Sequence, residues 1–122
     1  MTNRTLAITL QPDWQTAPRR AGSLAQAGTY QGETLNFETP GAFFAKLSER
    51  RWTLLGALQG QGELAVRELA RRVGRDVKRV HGDVQILVDL GLVERGAGAT
   101  VFCPFSSVHI DMDLRAPPAL AV

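Results

Sequence analysis

The sequence predicts an α+β fold, a winged helix-turn-helix with an additional N-terminal β element. Three observations predict it. Residues 64–95, LAVRELARRVGRDVKRVHGDVQILVDLGLVER, read as two helices joined by a tight turn and leading into a strand. Gly74 and Gly91 stand where each of those helices must stop, because a left-handed residue closes a helix and glycine adopts that backbone without a Cβ penalty. Alternating apolar residues near both ends of the chain, RTLAITL (4–10) and SVHIDMDL (107–114), mark half-buried strands.

Taken in order, Leu6, Ile8 and Leu10 form one face of the first strand, and Thr5, Ala7 and Thr9 form the other. Residues 11–28 hold Pro12, Pro18, Gly22 and Gly28 and read as a connector, with a short helix around 21–27 as an option. Residues 29–38 alternate again through Tyr30, Leu35 and Phe37, so this strand and the first are candidates to pair. Thr39-Pro40 is a helix start, with threonine as N-cap and proline at the first helical position. A short helix over 40–47 follows. Ser48 then caps a helix over 49–59, in which Trp52, Leu55 and Leu58 fall at helical spacing and read as core.

The third helix spans 65–73 with Val66, Leu69, Ala70 and Val73 on its apolar face. Asp76 is the expected N-cap of the fourth, over 77–90, where Val77, Val80, Val84, Leu87 and Val88 form the core stripe. Residues 92–95 and 100–104 read as two strands joined by Gly96, Ala97 and Gly98, a short hairpin. The strand at 107–114 carries Val108, Ile110, Met112 and Leu114 on one face and His109, Asp111 and Asp113 on an acidic outer face. The last eight residues, RAPPALAV, read as a flexible tail.

Composition excludes several classes of function. A chain of 122 residues, 44% hydrophobic and 21% charged, fits one soluble domain. No apolar run approaches the roughly 18 residues of a membrane span, and MTNRTLAITLQPDW has no signal-peptide pattern, so a cytoplasmic location is expected. The single cysteine, Cys103 in VFCPF, forms no internal disulfide and is expected to act as a small buried hydrophobe. The alternative, a redox sensor, lacks the flanking base that would lower its pKa. Two histidines, His81 and His109, do not make a zinc site of the usual spacing. There is no Ser/His/Asp set, and GQGELAV (60–66) lacks the lysine of a phosphate loop. The chain is therefore not expected to be an enzyme or to need a metal or cofactor.

The net charge of +2 hides a local field. Residues 67–79 carry six basic residues (Arg67, Arg71, Arg72, Arg75, Lys78, Arg79) against Glu68 and Asp76, a net +4 in thirteen residues. Residues 1–38 sum to zero. A local positive stripe is the footprint of phosphate contact, or else an ordinary solvated face.

With Val80, Val84 and Leu87 turned inward, Arg75, Lys78, Arg79, Gly82 and Gln85 fall on the N-terminal half of the outward face of the fourth helix. Arginine and lysine suit guanine edges or phosphates, and glutamine suits adenine. Gly82 admits close approach of a DNA backbone, or is a tolerated surface glycine, and costs about 1 kcal/mol of helix propensity relative to alanine. Arg95, before the hairpin turn, is placed to reach DNA beside that helix, or pairs with Glu94 or solvent. Asp83 is expected to pair with Arg79 one turn earlier. His81 is expected to pack, partly buried, beside the apolar stripe. A phosphate contact by Arg50 and Arg51, ahead of Trp52, is a weaker option. The candidate DNA-binding set is Arg67, Arg71, Arg75, Lys78, Arg79, Gly82, Gln85 and Arg95.

On the strength of RRWTLLGAL (50–58), RELARRVGRDVKRVHGDV (67–84), LGLVER (90–95) and VHIDMDL (108–114), residues 39–114 resemble the winged helix-turn-helix transcriptional regulators of bacteria and archaea within the broad MarR/ArsR-like superfamily. The chain departs from their pattern at Ala65, where a serine or threonine cap is usual, and at Gly82, where a longer polar residue is common. The resemblance implies double-stranded DNA binding through the fourth helix, homodimers, and repression of nearby genes, including the chain's own. Some relatives look like antitoxins, which implies a small toxin protein as an alternative partner, docked on strand edges. The expected organisation is an extension over 1–38, a DNA-binding domain over 39–114, and a tail over 115–122.

Overall fold

In a computed structural model of the chain, residues 4–11 and 32–113 are described. The expected connector, the optional helix at 21–27, Tyr30, Leu114 and the tail at 115–122 lie outside the described residues. The described part is mixed α+β, with four helices and two three-stranded sheets. In chain order the elements are β1 (Arg4–Leu10), β2 (Glu33–Phe37), α1 (Pro40–Lys46), α2 (Glu49–Leu58), β3 (Leu64–Ala65), α3 (Val66–Val73), α4 (Val77–Leu90), β4 (Glu94–Arg95), β5 (Thr100–Phe102) and β6 (Phe105–Asp111).

The larger sheet is parallel throughout, in the order β2-β1-β6. Leu6 pairs with Glu33 on one side and Val108 on the other, and Ile8 with Leu35 and Ile110. Parallel sheets need cover on their apolar side, and here Leu6, Ile8, Phe37 and Phe105 turn into the same core as the helices. Arg4 ties the sheets together. Its guanidinium donates to both oxygens of Glu33 at 2.8 Å, reaches Glu94 of β4 at 3.4 Å, and lies 5.0 Å from the centre of the Phe105 ring. These two carboxylates hold the Arg4 guanidinium protonated well above its ordinary range, the Glu33 hydrogen bond being the largest cause and burial opposing it.

The smaller sheet has the order β3-β5-β4, antiparallel, with Leu64 opposite Val101 and Glu94 opposite Phe102. β3 was not anticipated, since two residues carry no readable period. It accounts for Ala65 at the head of α3. There the helix start is held by a β ladder to Thr100 instead of a side-chain cap.

Helix termini follow the local chemistry. Thr39 Oγ1 accepts from Ala42 N–H at 3.0 Å, Ser48 Oγ from Arg51 N–H at 3.4 Å, and Asp76 Oδ2 from Arg79 N–H at 3.1 Å. Gly74 (φ 69°) and Gly91 (φ 85°) are both left-handed, as helix-closing residues should be. The first hairpin strand is shorter than expected. Leu92 and Val93 are buried, but their N–H groups go to Leu87 C=O at the end of α4, at 3.0 and 3.3 Å, so only Glu94 and Arg95 enter the ladder. β5 stops at Phe102 and β6 begins at Phe105, two residues earlier than the alternation indicated.

The core gathers Leu54, Leu58, Leu69, Val80, Val84, Leu87, Leu92, Val93 and Val101 with the β1 residues. Cys103 is buried among them, and its thiol donates to Phe105 C=O at 3.7 Å. Burial pushes the Cys103 pKa above its usual value, which keeps the thiol protonated. Three expectations need correction. Trp52 is 39% exposed, because Leu54, not Trp52, completes the inward stripe of α2 with Leu55 and Leu58. Val77 is 40% exposed, since it lies in the first turn of α4 ahead of the packed stripe. His81 is exposed rather than packed, lying one position past the inward-facing Val80. Among the described residues no helix is long and apolar enough to cross a membrane.

Candidate nucleic-acid interface

α3 and α4 are joined by Gly74, Arg75 and Asp76. The Gly74 N–H closes onto Arg71 C=O at 3.3 Å and the Arg75 N–H onto Ala70 C=O at 3.1 Å. This turn puts the start of α4 at the surface. Because Val80, Val84 and Leu87 are fully buried, the opposite face of the helix is presented to solvent. Lys78, Arg79, Gly82 and Gln85 are all exposed on it. A Cβ added at Gly82 would meet nothing within 4 Å, so internal packing does not require glycine there.

The candidate cations divide into two groups. Arg67, Lys78 and Arg79 have no side-chain hydrogen bond or ion pair among the described residues. Others are engaged. Arg71 and Arg72 both donate to Glu68, at 2.6–2.9 Å and 2.8 Å. Their hydrogen bonds, Arg71's foremost, pull the Glu68 carboxyl from 4.5 down to about 2, and Glu68 in turn raises the Arg71 pKa. Arg71 is thus 73% exposed but tied, with Arg72, to one carboxylate on its own helix.

Arg75 is held more firmly. Its Nη2 donates to Asp83 Oδ2 at 2.6 Å, while Arg51 Nε donates to Asp83 Oδ1 at 3.0 Å. Arg51 Nη1 also caps the end of α1 through the carbonyls of Ala45 (3.2 Å) and Lys46 (2.9 Å). One carboxylate on α4 therefore collects arginines from α2 and from the α3–α4 turn. Asp83 is 16% exposed. Burial pushes its pKa up, but the hydrogen bonds from Arg75 and Arg51 outweigh that and leave it below the usual range. Asp83 does not pair with Arg79, as sequence spacing had indicated. The helical i,i−4 neighbour lost to two arginines arriving from other elements.

The hairpin leans on the same helix. Arg95 donates to Gln85 Oε1, and Gln85 Nε2 donates to Asp89 Oδ1 at 2.9 Å. Arg95 thus pairs with neither Glu94 nor solvent alone, and both ends of the Gln85 amide are occupied. The hairpin turn is pinned from the other side by Glu63, whose Oε1 accepts from Ala97 N–H at 3.1 Å and Thr100 Oγ1 at 2.7 Å.

Arg50 and Arg79 line an open groove of about 770 Å³ between the start of α2 and α4, with Gly82, Ile86 and the Arg51–Asp83–Arg75 triad also lining it. Arg50, outside the candidate set, is the weaker option for a phosphate contact that its place ahead of Trp52 gives. Only the packing of α2 against α4 brings it beside Arg79. No group of three or more His, Cys, Asp or Glu side chains that could hold a metal occurs among the described residues.

Fold and surface together define a small mixed α+β protein with a cationic helix face. The sequence profile of the HVO_A0114 family matches residues 46–110, more than half of the chain, and the chain belongs to that family. No curated protein matches it.

Proposed function

We propose that this protein is a sequence-specific DNA-binding regulator of the winged-helix type, acting as a homodimer, with α4 in the major groove and the β4–β5 hairpin as the wing on the flanking backbone. One observation carries this reading. Exposed, unpartnered Lys78 and Arg79 flank the side-chain-free Gly82 on the outward face of a 14-residue helix. A helix of that length is about 21 Å long and fits the major groove, about 12 Å wide. The order α2, β3, α3, α4, β4, β5 supports it, as does the Arg95–Gln85 link that sets the wing beside the helix. In the complex Gln85 has to exchange Arg95 or Asp89 for a base edge.

The test is fluorescence anisotropy with the duplex upstream of the protein's own reading frame and an unrelated duplex, each at two salt concentrations. Clear preference for its own site is expected. K78A/R79A should lower affinity for both duplexes and flatten the salt dependence by about two in log–log slope per protomer, about four for the dimer. A double variant that binds like the parent would show that this face does not meet DNA.

A second reading, a protein-interaction module such as an antitoxin, is favoured by one feature. The outer edge of β6 borders a groove of about 520 Å³ lined by Trp52, Leu55 and Val108, and an open strand edge is a docking site for an extended segment. Trp52→Ala should then abolish partner capture while leaving DNA binding intact.

A further inference from the structure

We infer that the groove between α2 and α4 seats one DNA backbone phosphate, gripped by Arg50 from α2 and Arg79 from α4, with Asp83 as the positioning residue that keeps the two sides in register. The inference rests on the DNA-binding reading and adds to it a defined seat, in which Arg50 acts together with Arg79 and Asp83 positions both.

The charge inventory is unbalanced in favour of an anion. The groove is lined by four guanidiniums, those of Arg50, Arg51, Arg75 and Arg79, against the carboxylates of Glu49 and Asp83. Asp83 is already shared by Arg51 and Arg75 at 3.0 and 2.6 Å. The side chains of Arg50 and Arg79 have no hydrogen-bond or ion-pair partner among the described residues. Arg75 Nη1 is buried and has no partner either, a donor whose hydrogen bond is left unmet. Gly82 lines the groove as well, and a Cβ there would meet nothing, so the space above it is free for a ligand.

The two arginines come from elements held at a fixed spacing. Asp83 on α4 binds Arg51, the neighbour of Arg50 on α2, and Arg51 is locked in turn to the Ala45 and Lys46 carbonyls. Arg50 is therefore presented from a rigid backbone and not from a loose terminus. A phosphodiester between Arg50 and Arg79 neutralises the surplus charge and fixes the register of α4 along the groove. Phosphate contacts of this kind set position without reading sequence.

The experiment compares the parent, R50A and R50K on the preferred duplex and on unrelated DNA across a salt series. Arg50 is exposed and unpartnered, so R50A should keep the parent's thermal midpoint. It should lose affinity equally for both duplexes, and its log–log salt slope should fall by about one per protomer, about two for the dimer. R50K should restore the slope. D83N should lower affinity while leaving the slope nearer the parent's, because it disturbs placement and removes no cation. Repeating the series with inorganic phosphate replacing chloride at constant ionic strength separates free phosphate from the DNA backbone. A groove built for free phosphate would show competition at millimolar phosphate in the parent and none in R50A, and that result would overturn the assignment to DNA. If the parent binds duplex DNA and R50A keeps its slope, the groove assignment fails alone. If the parent binds no duplex at all, the DNA reading fails and takes this inference with it.

Discussion

Replacing Gly82 with alanine separates the stability of α4 from the contact that its outward face is proposed to make. Gly82 lies inside a 14-residue helix, is exposed, and has open space where a Cβ would sit. In the free protein the substitution removes the backbone entropy cost of glycine and adds no clash, a gain of about 1 kcal/mol. With a urea m value of about 1.5 kcal/mol/M, the unfolding midpoint should rise by roughly 0.7 M, and the thermal midpoint by about 4 °C. On DNA the sign reverses. A methyl group forced into a close helix–backbone contact costs about 1–3 kcal/mol, roughly a 5- to 150-fold loss of affinity. Urea unfolding followed by circular dichroism reads the first number, and anisotropy on the preferred duplex reads the second. A destabilised G82A protein would refute the account of the helix surface. A stabilised protein with parent affinity would refute close approach at Gly82.

Other outcomes follow from the same geometry. Asp83→Ala strands two arginines, and two charge-assisted hydrogen bonds discounted for partial exposure amount to about 2–3 kcal/mol. The urea midpoint should fall by about 1.5–2 M, and a loss under about 0.5 kcal/mol would show that the triad holds nothing together. Because the Asp83 pKa is lowered in the folded state, its contribution is present above the ordinary carboxylate value of about 3.9 and is lost as pH falls through the lowered folded value. Stability measured against pH should therefore decline less steeply in acid for D83A than for the parent, the remaining limb belonging to groups such as Glu68, whose folded pKa is about 2. Gly96→Ala places a Cβ against the Glu63 carboxylate and 2.6 Å from Thr100 Oγ1. Glu63 should swing away, and the Ala97 amide should exchange with solvent faster while α4 amides keep the parent rate. Unchanged exchange at Ala97 would show that Glu63 does not pin the turn.

The helices were legible in the sequence because their signals are local. Thr39, Ser48 and Asp76 cap within three residues, Gly74 and Gly91 close within four, and the Val80/Val84/Leu87 period marks the buried side of α4. The boundaries of α4 were read as they stand. Long-range placement was not legible. β1 and β6 alternate as strands should, yet nothing in alternation says that they pair, or that they run parallel. The period of α2 admitted Trp52 to the core because it falls three residues before Leu55, and the choice of Leu54 is made by what packs opposite. The same limit applies to the candidate site. Outward residues of α4 came from a helical wheel, whereas the Asp83 triad and the Arg50–Arg79 groove join residues about thirty apart in sequence.

The pairing of β1 with β6 also has a consequence in time. Ser106 Oγ donates to Arg4 C=O across 102 positions, so β1 meets this neighbour only after about a hundred further residues have been made. At roughly 5–20 residues per second the wait is about 5–20 s. Throughout it one edge of β1 is unpaired, with Leu6 and Ile8 still awaiting the core they end in. Chains arrested before Phe105 should accordingly be cut by protease within β1, while chains extended past Asp111 should resist. Among the described strands, the last to emerge, β6, is the one that ends the exposure of β1.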